Sequence, residues 1–208
     1  MCVAQNSYQA QNTREVMAYA FHSHNEKERA VYEKAVENYR LYADRIFVHH
    51  GVGFFSVNDI RTAVEKHLRW TGRTPIVFVD YLQILSPGPE MMKWSEKQVM
   101  DYSIMEFKRI SRDFKLPVVI ASSLNRTSYK EEVGINSFKE SGGIEYTSDC
   151  LLGLQYQNME DLNVERAKNP REVEVVILKN RHGETGNKVK FNYYAAYNYM
   201  EEDEATLY

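Results

Sequence analysis

The sequence predicts an α/β fold, in which helices flank a mainly parallel β-sheet. Several short apolar segments are continuous rather than alternating, which is typical of strands buried on both faces. Between the first two of these segments, residues 96–114 have the spacing of an amphipathic helix. The order strand, helix, strand favours parallel strands that are joined by right-handed crossovers.

Four segments are predicted to be strands. The first two are rich in Val and Ile and are bounded by polar residues: PIVFVD at 75–80 and LPVVIASS at 116–123. The other two have the same character: CLLGL at 150–154 and VEVVILKN at 173–180. Residues 181–187 then carry two glycines ahead of KVKFNYY, which predicts a C-terminal hairpin that closes the sheet.

Four segments are predicted to be helices: 12–24, 26–45, 58–70 and 96–114. In the last of these, one stripe is apolar and contains Met100, Ile104 and Phe107, whereas Lys108 and Arg112 fall on another face. The helix at 58–70 follows Ser56, with Asp59 three residues on. A hydroxyl and a carboxylate at this spacing satisfy the free amides of a first helical turn.

Composition bounds the class of protein. The chain has 208 residues, of which 43% are hydrophobic, and this is enough apolar material for one domain with a real core. Its net charge is −3. Bulk charge does not favour nucleic acid or anionic membranes, so any such contact must be a local patch. The N-terminal sequence lacks the pattern of a signal peptide, and no apolar run has the length of a membrane span. We therefore expect a cytoplasmic protein without a membrane partner, whose Cys2 and Cys150 are free thiols rather than a disulfide.

Asp80 is the first candidate site residue. It ends a buried apolar run, and ligands of open α/β sheets bind beyond the carboxyl ends of the strands. A lone carboxylate at this position can hold Mg²⁺, directly or through water. An Asp that only caps the following turn is an alternative interpretation.

Four sequence blocks occur in a distinctive order: DYLQIL at 80–85, LPVVIASSLNR at 116–126, ESGGIE at 140–145 with Asp149 after it, and KNRHGETG at 179–186. In order and spacing they resemble the motor domain of DnaB-type replicative helicases. The resemblance implies one RecA-like domain over residues 1–208, which uses ATP and Mg²⁺ and assembles as a hexameric ring around single-stranded DNA. It also implies contacts with other ring subunits, and with a primase or a helicase loader.

The resemblance assigns roles around the nucleotide. It implies that Asp80 is the Walker B carboxylate that holds Mg²⁺, and that Lys179 and Arg181 reach the nucleotide site of the neighbouring subunit, Arg181 as an arginine finger. A planar guanidinium supplied in trans would stabilise charge on the γ-phosphate and make hydrolysis depend on assembly. Residues two apart on a strand point to the same face, which is consistent with this role. A solvated basic edge on a hairpin is the alternative.

The resemblance also assigns DNA contacts. Lys139, Glu140 and Gly142 lie where a basic side chain and nearby amides of the family hold a DNA phosphate, a contact that is independent of base sequence and sensitive to salt. The segment that begins at Arg126 is compatible with a second, mobile loop at the pore. A polar surface loop would have the same composition.

The sequence departs from the family at the phosphate-binding end. A Walker A loop needs Gly-Lys-Ser/Thr, and none of the ten glycines is followed by Lys. Residues 1–4 therefore correspond to the second strand, so we expect a domain that lacks the first strand and the phosphate loop. Gln9 stands near the family's catalytic Glu. Ser123 replaces the Gln that senses the γ-phosphate.

These departures predict that the chain alone does not complete an ATPase cycle. It is then either part of a longer helicase motor or a non-catalytic, helicase-like subunit that binds a partner ring or DNA.

Overall fold

The computed structural model describes residues 26–49, 54–125, 131–138 and 141–203. The helices are α1 (Glu26–Arg40), α2 (Val57–Thr71), α3 (Glu96–Phe114), α4 (Ser141–Thr147) and α5 (Leu162–Ala167). The strands are β1 (Val77–Val79), β2 (Val118–Ile120), β3 (Cys150–Tyr156), β4 (Arg171–Asn180), β5 (Lys188–Tyr194) and β6 (Tyr199–Glu202). The α/β class is confirmed. No helix in the described ranges is both long and apolar enough to cross a membrane.

Two helix predictions are confirmed, and a third is confirmed over part of its length. The predicted bounds of α3 are the observed ones, and α2 extends one residue beyond its prediction at each end. The segment predicted at 26–45 ends its α-helix at Arg40 and continues only as a 3₁₀ turn at Ala43–Arg45. The helix predicted at 12–24 lies outside the described residues. Neither α4 nor α5 was predicted.

The described residues divide into two compact units. One contains the described parts of 54–153 together with 176–187, and the other contains 26–49, 154–175 and 188–203. Strands β3 and β4 contribute residues to both. The unit that contains the described parts of 54–153, here called the first unit, contains all the described candidate site residues.

The core of the first unit is built by α2, α3 and one face of two parallel strands. Strand β1 pairs in parallel with β2, with Val77 opposite Val118 and Val79 opposite Ile120. The buried cluster consists of Val57, Ile60, Val64, Val79, Leu82, Met100, Ile104, Phe107, Ile110, Leu116, Phe138, Ile144 and Leu151. Because α3 places Phe107 and Ile110 fully inside this cluster, the helix is a rigid support for the polar side chains on its other face.

The expectation that β1 and β2 are buried on both faces is wrong for the described residues. Val79 faces the core, whereas Phe78 is 73% exposed and its partner Val119 is 49% exposed. The described helices cover only one side of this strand pair. Its other side is an apolar sheet face that no described residue covers, and parallel sheets are ordinarily covered on both faces.

The remaining strands form a four-stranded sheet in the order β3-β4-β5-β6. The amide of Gln157 donates to the carbonyl of Glu172, and the amide of Arg181 donates to that of Asp149, so β3 and β4 are antiparallel. Strand β5 is antiparallel to β6, with Tyr194 opposite Tyr199. The predicted C-terminal hairpin is present between β4 and β5. The described strands do not form a clearly mainly parallel sheet.

The second unit buries a polar cluster on its strands. Glu174 is 3% exposed; it accepts a hydrogen bond from Gln155 Nε2 at 2.6 Å, and its Oε1 lies 2.8 Å from Lys188 Nζ. Buried polar groups of this kind need partners, and these three residues supply them to one another. The cluster therefore links three neighbouring strands.

Candidate functional site

The carboxyl ends of β1 and β2 bring Asp80 and Ser123 close together in the fold. Asp80 follows Val79 directly, and Ser123 lies three residues after Ile120, the partner of Val79. Asp80 is exposed, and within the described ranges no residue forms a hydrogen bond or ion pair with its carboxylate. The position at the strand end is the one predicted from the sequence, and the carboxylate is available to a ligand.

Gln83 joins the two strand ends. Its Nε2 donates to Ser122 Oγ at 2.9 Å, and its Oε1 accepts from the backbone amide of Ser123 at 3.1 Å. The backbone adds a third link, from the amide of Leu82 to the carbonyl of Ala121 at 2.8 Å. Both polar ends of one amide are satisfied, so the loop after Asp80 is fixed to the loop that carries Ser123. The sequence places Gln83 in the DYLQIL block but gives no signal of this bridging contact.

The described residues fit part of a nucleotide site. Asp80 offers one oxygen ligand of the type that Mg²⁺ prefers, although no three His, Cys, Asp or Glu side chains of the described part come together as a metal site. Ion binding with substrate phosphates needs only one or two such carboxylates. A loop with the Gly-Lys pair that cradles phosphates does not occur in the 208 residues. The residues therefore fit an Mg²⁺ ligand and do not fit the phosphate cradle.

Lys179 and Arg181 come together at the last turn of α4. Lys179 Nζ donates to the carbonyls of Glu145 at 2.5 Å and Ser148 at 2.8 Å, and it is only partly exposed. Arg181 Nη2 donates to the carbonyl of Tyr146 at 3.0 Å. Carbonyls at a helix C-terminus lack partners within the helix and carry partial negative charge, so two cations stabilise this end of α4. Both side chains reach the same helix end of their own chain, and Lys179 is not a merely solvated residue.

Asp149 connects Arg181 to α3. Its Oδ1 lies 3.5 Å from Arg181 Nε, and its Oδ2 accepts from Lys108 Nζ at 2.5 Å. The hydrogen bond from Lys108, with the further positive charges of Arg181 and His182, holds the pKa of Asp149 below its ordinary value. From the sequence, Asp149 was only the end of a block and Lys108 only part of a solvated helix face. Neither could be given a role, because their contact spans 41 residues of chain.

The two segments assigned to DNA contact begin next to each other, after Asn125 and after Phe138. Leu124 forms a β-bridge with Phe138, and the Asn125 side chain donates to the Phe138 carbonyl at 3.2 Å. Arg126 follows Asn125 in sequence, and Lys139 and Glu140 follow Phe138. These three residues lie outside the described residues. Gly142 is described, in the exposed first turn of α4, where a Cβ would meet no atom within 4 Å.

The structure thus gives two separate clusters. Asp80, Gln83 and Ser123 form one, and Lys179, Arg181, Asp149 and Lys108 form the other. Within the described ranges no hydrogen bond or ion pair joins the side chains of one cluster to those of the other.

Comparison with known proteins gives a consistent family. The model for the DnaB-like helicase C terminal domain matches residues 10–202. A probable replicative DNA helicase of Trieres chinensis is 28% identical over 155 residues, which cover 71% of this chain and 34% of that protein. The replicative DNA helicase DnaB of Mycoplasma genitalium is 27% identical over 143 residues, 66% of this chain and 30% of that protein. The chain thus spans about a third of the length of these helicases.

Two solved structures share the fold. One is an ATPase domain, which superposes with a TM-score of 0.77 at 20% identity, over 98% of this chain and 69% of that domain. The other is a DnaB-like replicative helicase, described with its interactions with primase. It has a TM-score of 0.76 at 20% identity, over 96% of this chain and 46% of that one.

Proposed function

The chain belongs to the family of DnaB-like helicase C-terminal domains, and from this premise we propose that it is part of a replicative DNA helicase motor. In its complete form the motor hydrolyses ATP with Mg²⁺, and hydrolysis drives movement along single-stranded DNA and its unwinding, in the cytoplasm. The parallel pair of β1 and β2 belongs to the mainly parallel sheet of the complete RecA-like domain. Residues 1–208 supply that domain without its first strand and phosphate loop.

One observation carries the proposal: within the described ranges, the guanidinium of Arg181 has contacts on one side and N–H donors without a partner on the other. Its Nε and Nη2 face Asp149 and Tyr146, and among the described residues Nη1 has no partner. A guanidinium has five N–H donors, so the edge that includes Nη1 is left to bind an outside anion. The Arg181 side chain is 46% exposed, so a neighbouring molecule can reach it.

The remaining roles are part of the same proposal. Arg181 and Lys179 act in trans, on the phosphates bound by the next subunit, and Asp80 holds Mg²⁺ at this chain's own site. Ser123 lies at the sensor position but is too short to span the gap that the family's Gln spans. The ion, when bound, neutralises charge on the phosphates; the residues of this chain orient it and the neighbour's phosphates.

The same proposal covers the partners. Self-association into a ring, a hexamer in the family, brings Arg181 to the neighbouring subunit. Lys139, Glu140, Gly142 and Arg126 contact single-stranded DNA in the centre of the ring. A primase or a helicase loader binds the assembled ring, and the similar solved structure described with primase supports the first of these.

A second function has one observation in its favour. The 208 residues contain no Gly-Lys pair, so a non-catalytic subunit that joins a helicase ring or binds DNA would show the same clusters. Such a subunit would still donate Arg181 to a partner's nucleotide site, but it would have no use for Asp80.

The trans role of Arg181 can be tested in a fusion. The full chain, with Ser123→Gln, is joined behind the strand, Walker A loop, helix and catalytic Glu of an active ATPase of the same family. Arg181→Ala should lower ATP turnover by about 10³- to 10⁵-fold, because a trans finger stabilises the transition-state charge. ATP turnover of Arg181→Lys should also fall strongly, because lysine keeps the charge but lacks the planar guanidinium.

A mixing experiment separates trans from cis action. Arg181→Ala subunits are combined with subunits that keep Arg181 but lack the Walker A Lys. Neither hydrolyses ATP alone, and the mixture should regain activity because intact sites form at mixed interfaces. Arg112→Gln, which changes an exposed arginine on α3, is the matched control and should leave turnover unchanged. Turnover of Arg181→Ala within about twofold of the parent fusion would show that Arg181 is only a surface residue.

A further inference from the structure

The guanidinium of Arg181 is held along one edge. Nε lies 3.5 Å from Asp149 Oδ1, and Nη2 donates to the carbonyl of Tyr146 at 3.0 Å. Nε and Nη2 together form the side-on edge of an arginine. The end-on edge is the one that includes Nη1, and Nη1 has no partner among the described residues. The contacts therefore select which edge an incoming anion meets.

Asp149 is itself fixed from three directions. Its carbonyl accepts from the amide of Arg181 at 2.9 Å, which anchors the residue to the end of β4. Its Oδ2 accepts from Lys108 on α3, next to the buried Phe107. It also lies in the short connection between α4 and β3. The backbone of Asp149 is thus anchored at the end of β4, and its carboxylate lies between Lys108 on α3 and Arg181.

The charges in this cluster favour an anion. Lys108, Arg181 and Lys179 are positive and Asp149 is negative, so the cluster is cationic overall. Lys108 satisfies one oxygen of Asp149 and leaves the other for Arg181. Without Lys108, the carboxylate would draw the full attraction of Arg181 and compete more strongly with an outside phosphate.

We infer that Asp149 is a positioning residue for Arg181, which holds the side-on edge of the guanidinium so that its end-on edge faces the neighbouring subunit's phosphates, and that Lys108 fixes Asp149 in that role. This inference rests on the proposed trans function of Arg181. Asp149 and Lys108 do not touch the nucleotide. They act only through Arg181.

The first test uses the chain alone and does not depend on ATP. In the ¹⁵N-labelled chain, the Nε–H signal of Arg181 is identified by its loss in Arg181→Lys. Asp149→Ala should accelerate the exchange of this proton with water, because it removes the carboxylate that lies 3.5 Å from Nε. Arg112→Gln, one turn along α3 from Lys108, should leave it unchanged. An Nε–H signal that Asp149→Ala does not move would overturn the inference.

The second test uses the fusion described above. Asp149→Ala should lower kcat about 10- to 100-fold, the scale expected for a misplaced catalytic group, with little change in the KM for ATP. Asp149→Asn keeps an oxygen near Nε, so its kcat should fall less than that of Asp149→Ala. Lys108→Met keeps the Asp149 carboxylate, so its kcat should also fall less than that of Asp149→Ala. Unfolding in urea confirms that each variant is folded, so that a lost activity is not lost structure.

The outcomes separate the two claims. If Arg181→Ala leaves ATP turnover unchanged, the proposed trans function is wrong and the inference falls with it. If Arg181→Ala abolishes turnover while folded Asp149→Ala keeps it within about twofold, Arg181 is the finger and Asp149 does not position it.

Discussion

The Gln83 side chain accepts a hydrogen bond from the backbone amide of Ser123 at 3.1 Å, across the ends of two parallel strands. The same side chain donates to Ser122 Oγ. One residue of the β1 end therefore sets the position of the loop that carries Ser123. Any ligand that lies against Asp80 would meet both loops as one rigid surface.

Replacing Gln83 should loosen this surface. Gln83→Ala leaves the Ser123 amide and the Ser122 hydroxyl without their partner, and a lost hydrogen bond with a partly buried group costs roughly 1–2 kcal/mol of unfolding free energy. Urea unfolding of Gln83→Ala, Ser122→Ala and the double variant measures the coupling between the two side chains. Additive losses would show that the Gln83–Ser122 bond contributes nothing of its own.

Asp59 at the start of α2 should make stability depend on pH. Its Oδ2 accepts from the amide of Ser56 at 2.8 Å and from the hydroxyl of Ser56 at 2.7 Å, and these bonds lower the pKa of Asp59. A carboxyl whose pKa is lower in the folded state stabilises the fold above its unfolded pKa, and this contribution is lost as the pH falls through the folded pKa.

Asp59→Asn should therefore cost about 1 kcal/mol at pH 7, the usual value of a helix cap. The difference from the wild type should shrink as the pH falls below the ordinary pKa of an aspartate, about 3.9, and disappear only below the lowered pKa of folded Asp59. Urea unfolding at pH 7, 5 and 3 measures it. Glu65→Gln on the same helix, which breaks only a surface ion pair with Arg61, serves as the control. A difference that stays constant over this pH range would contradict the assigned role of the carboxylate.

Long local patterns were the predictable part of the fold. Helix α3 has 19 residues with a regular apolar stripe, and such a long stripe predicts a helix from the sequence alone. Helix α4 has seven residues and begins SGG, a poor helical sequence. It is stabilised by tertiary contacts, with Ile144 in the core and Lys179 and Arg181 at its last carbonyls. Strand β6 contains Glu201 and Glu202, whose acidic sequence does not predict a strand, and it forms by pairing with β5.

The candidate site was predictable to the extent that it depends on strand ends. A carboxylate that follows a buried apolar run lies at the sheet edge whatever the rest of the fold does, which is why Asp80 could be placed. The contact of Lys108 with Asp149 joins a helix face to a distant loop. Nothing in the local pattern of either segment specifies such a pair, because the packing of α3 against α4 and β3 decides it.

Nucleotide binding by the chain alone should be weak. Asp80 and Mg²⁺ do not offset the desolvation of a triphosphate when no Gly-Lys loop cradles it. We expect a dissociation constant in the millimolar range or weaker, about −4 kcal/mol. Calorimetry with ATP and Mg²⁺ should show no measurable heat for the isolated chain and clear binding for the fusion with a Walker A loop. Micromolar binding by the isolated chain would reveal a phosphate site that the sequence does not show.

Single-stranded DNA should bind weakly to the isolated chain, with the salt dependence of a single phosphate contact. Lys139 follows the Leu124–Phe138 bridge, and one lysine on one phosphate gives a slope of about −0.7 in log affinity against log salt for single strands. Rings multiply this contact, so useful affinity needs assembly. Fluorescence anisotropy with an oligo-dT should show that Lys139→Ala weakens binding and removes about 0.7 from the slope. Lys66→Ala, which changes an exposed lysine on α2, should change neither quantity. If binding is tight and insensitive to salt, stacking on aromatic side chains rather than a phosphate contact holds the DNA, and the role proposed for Lys139 is wrong.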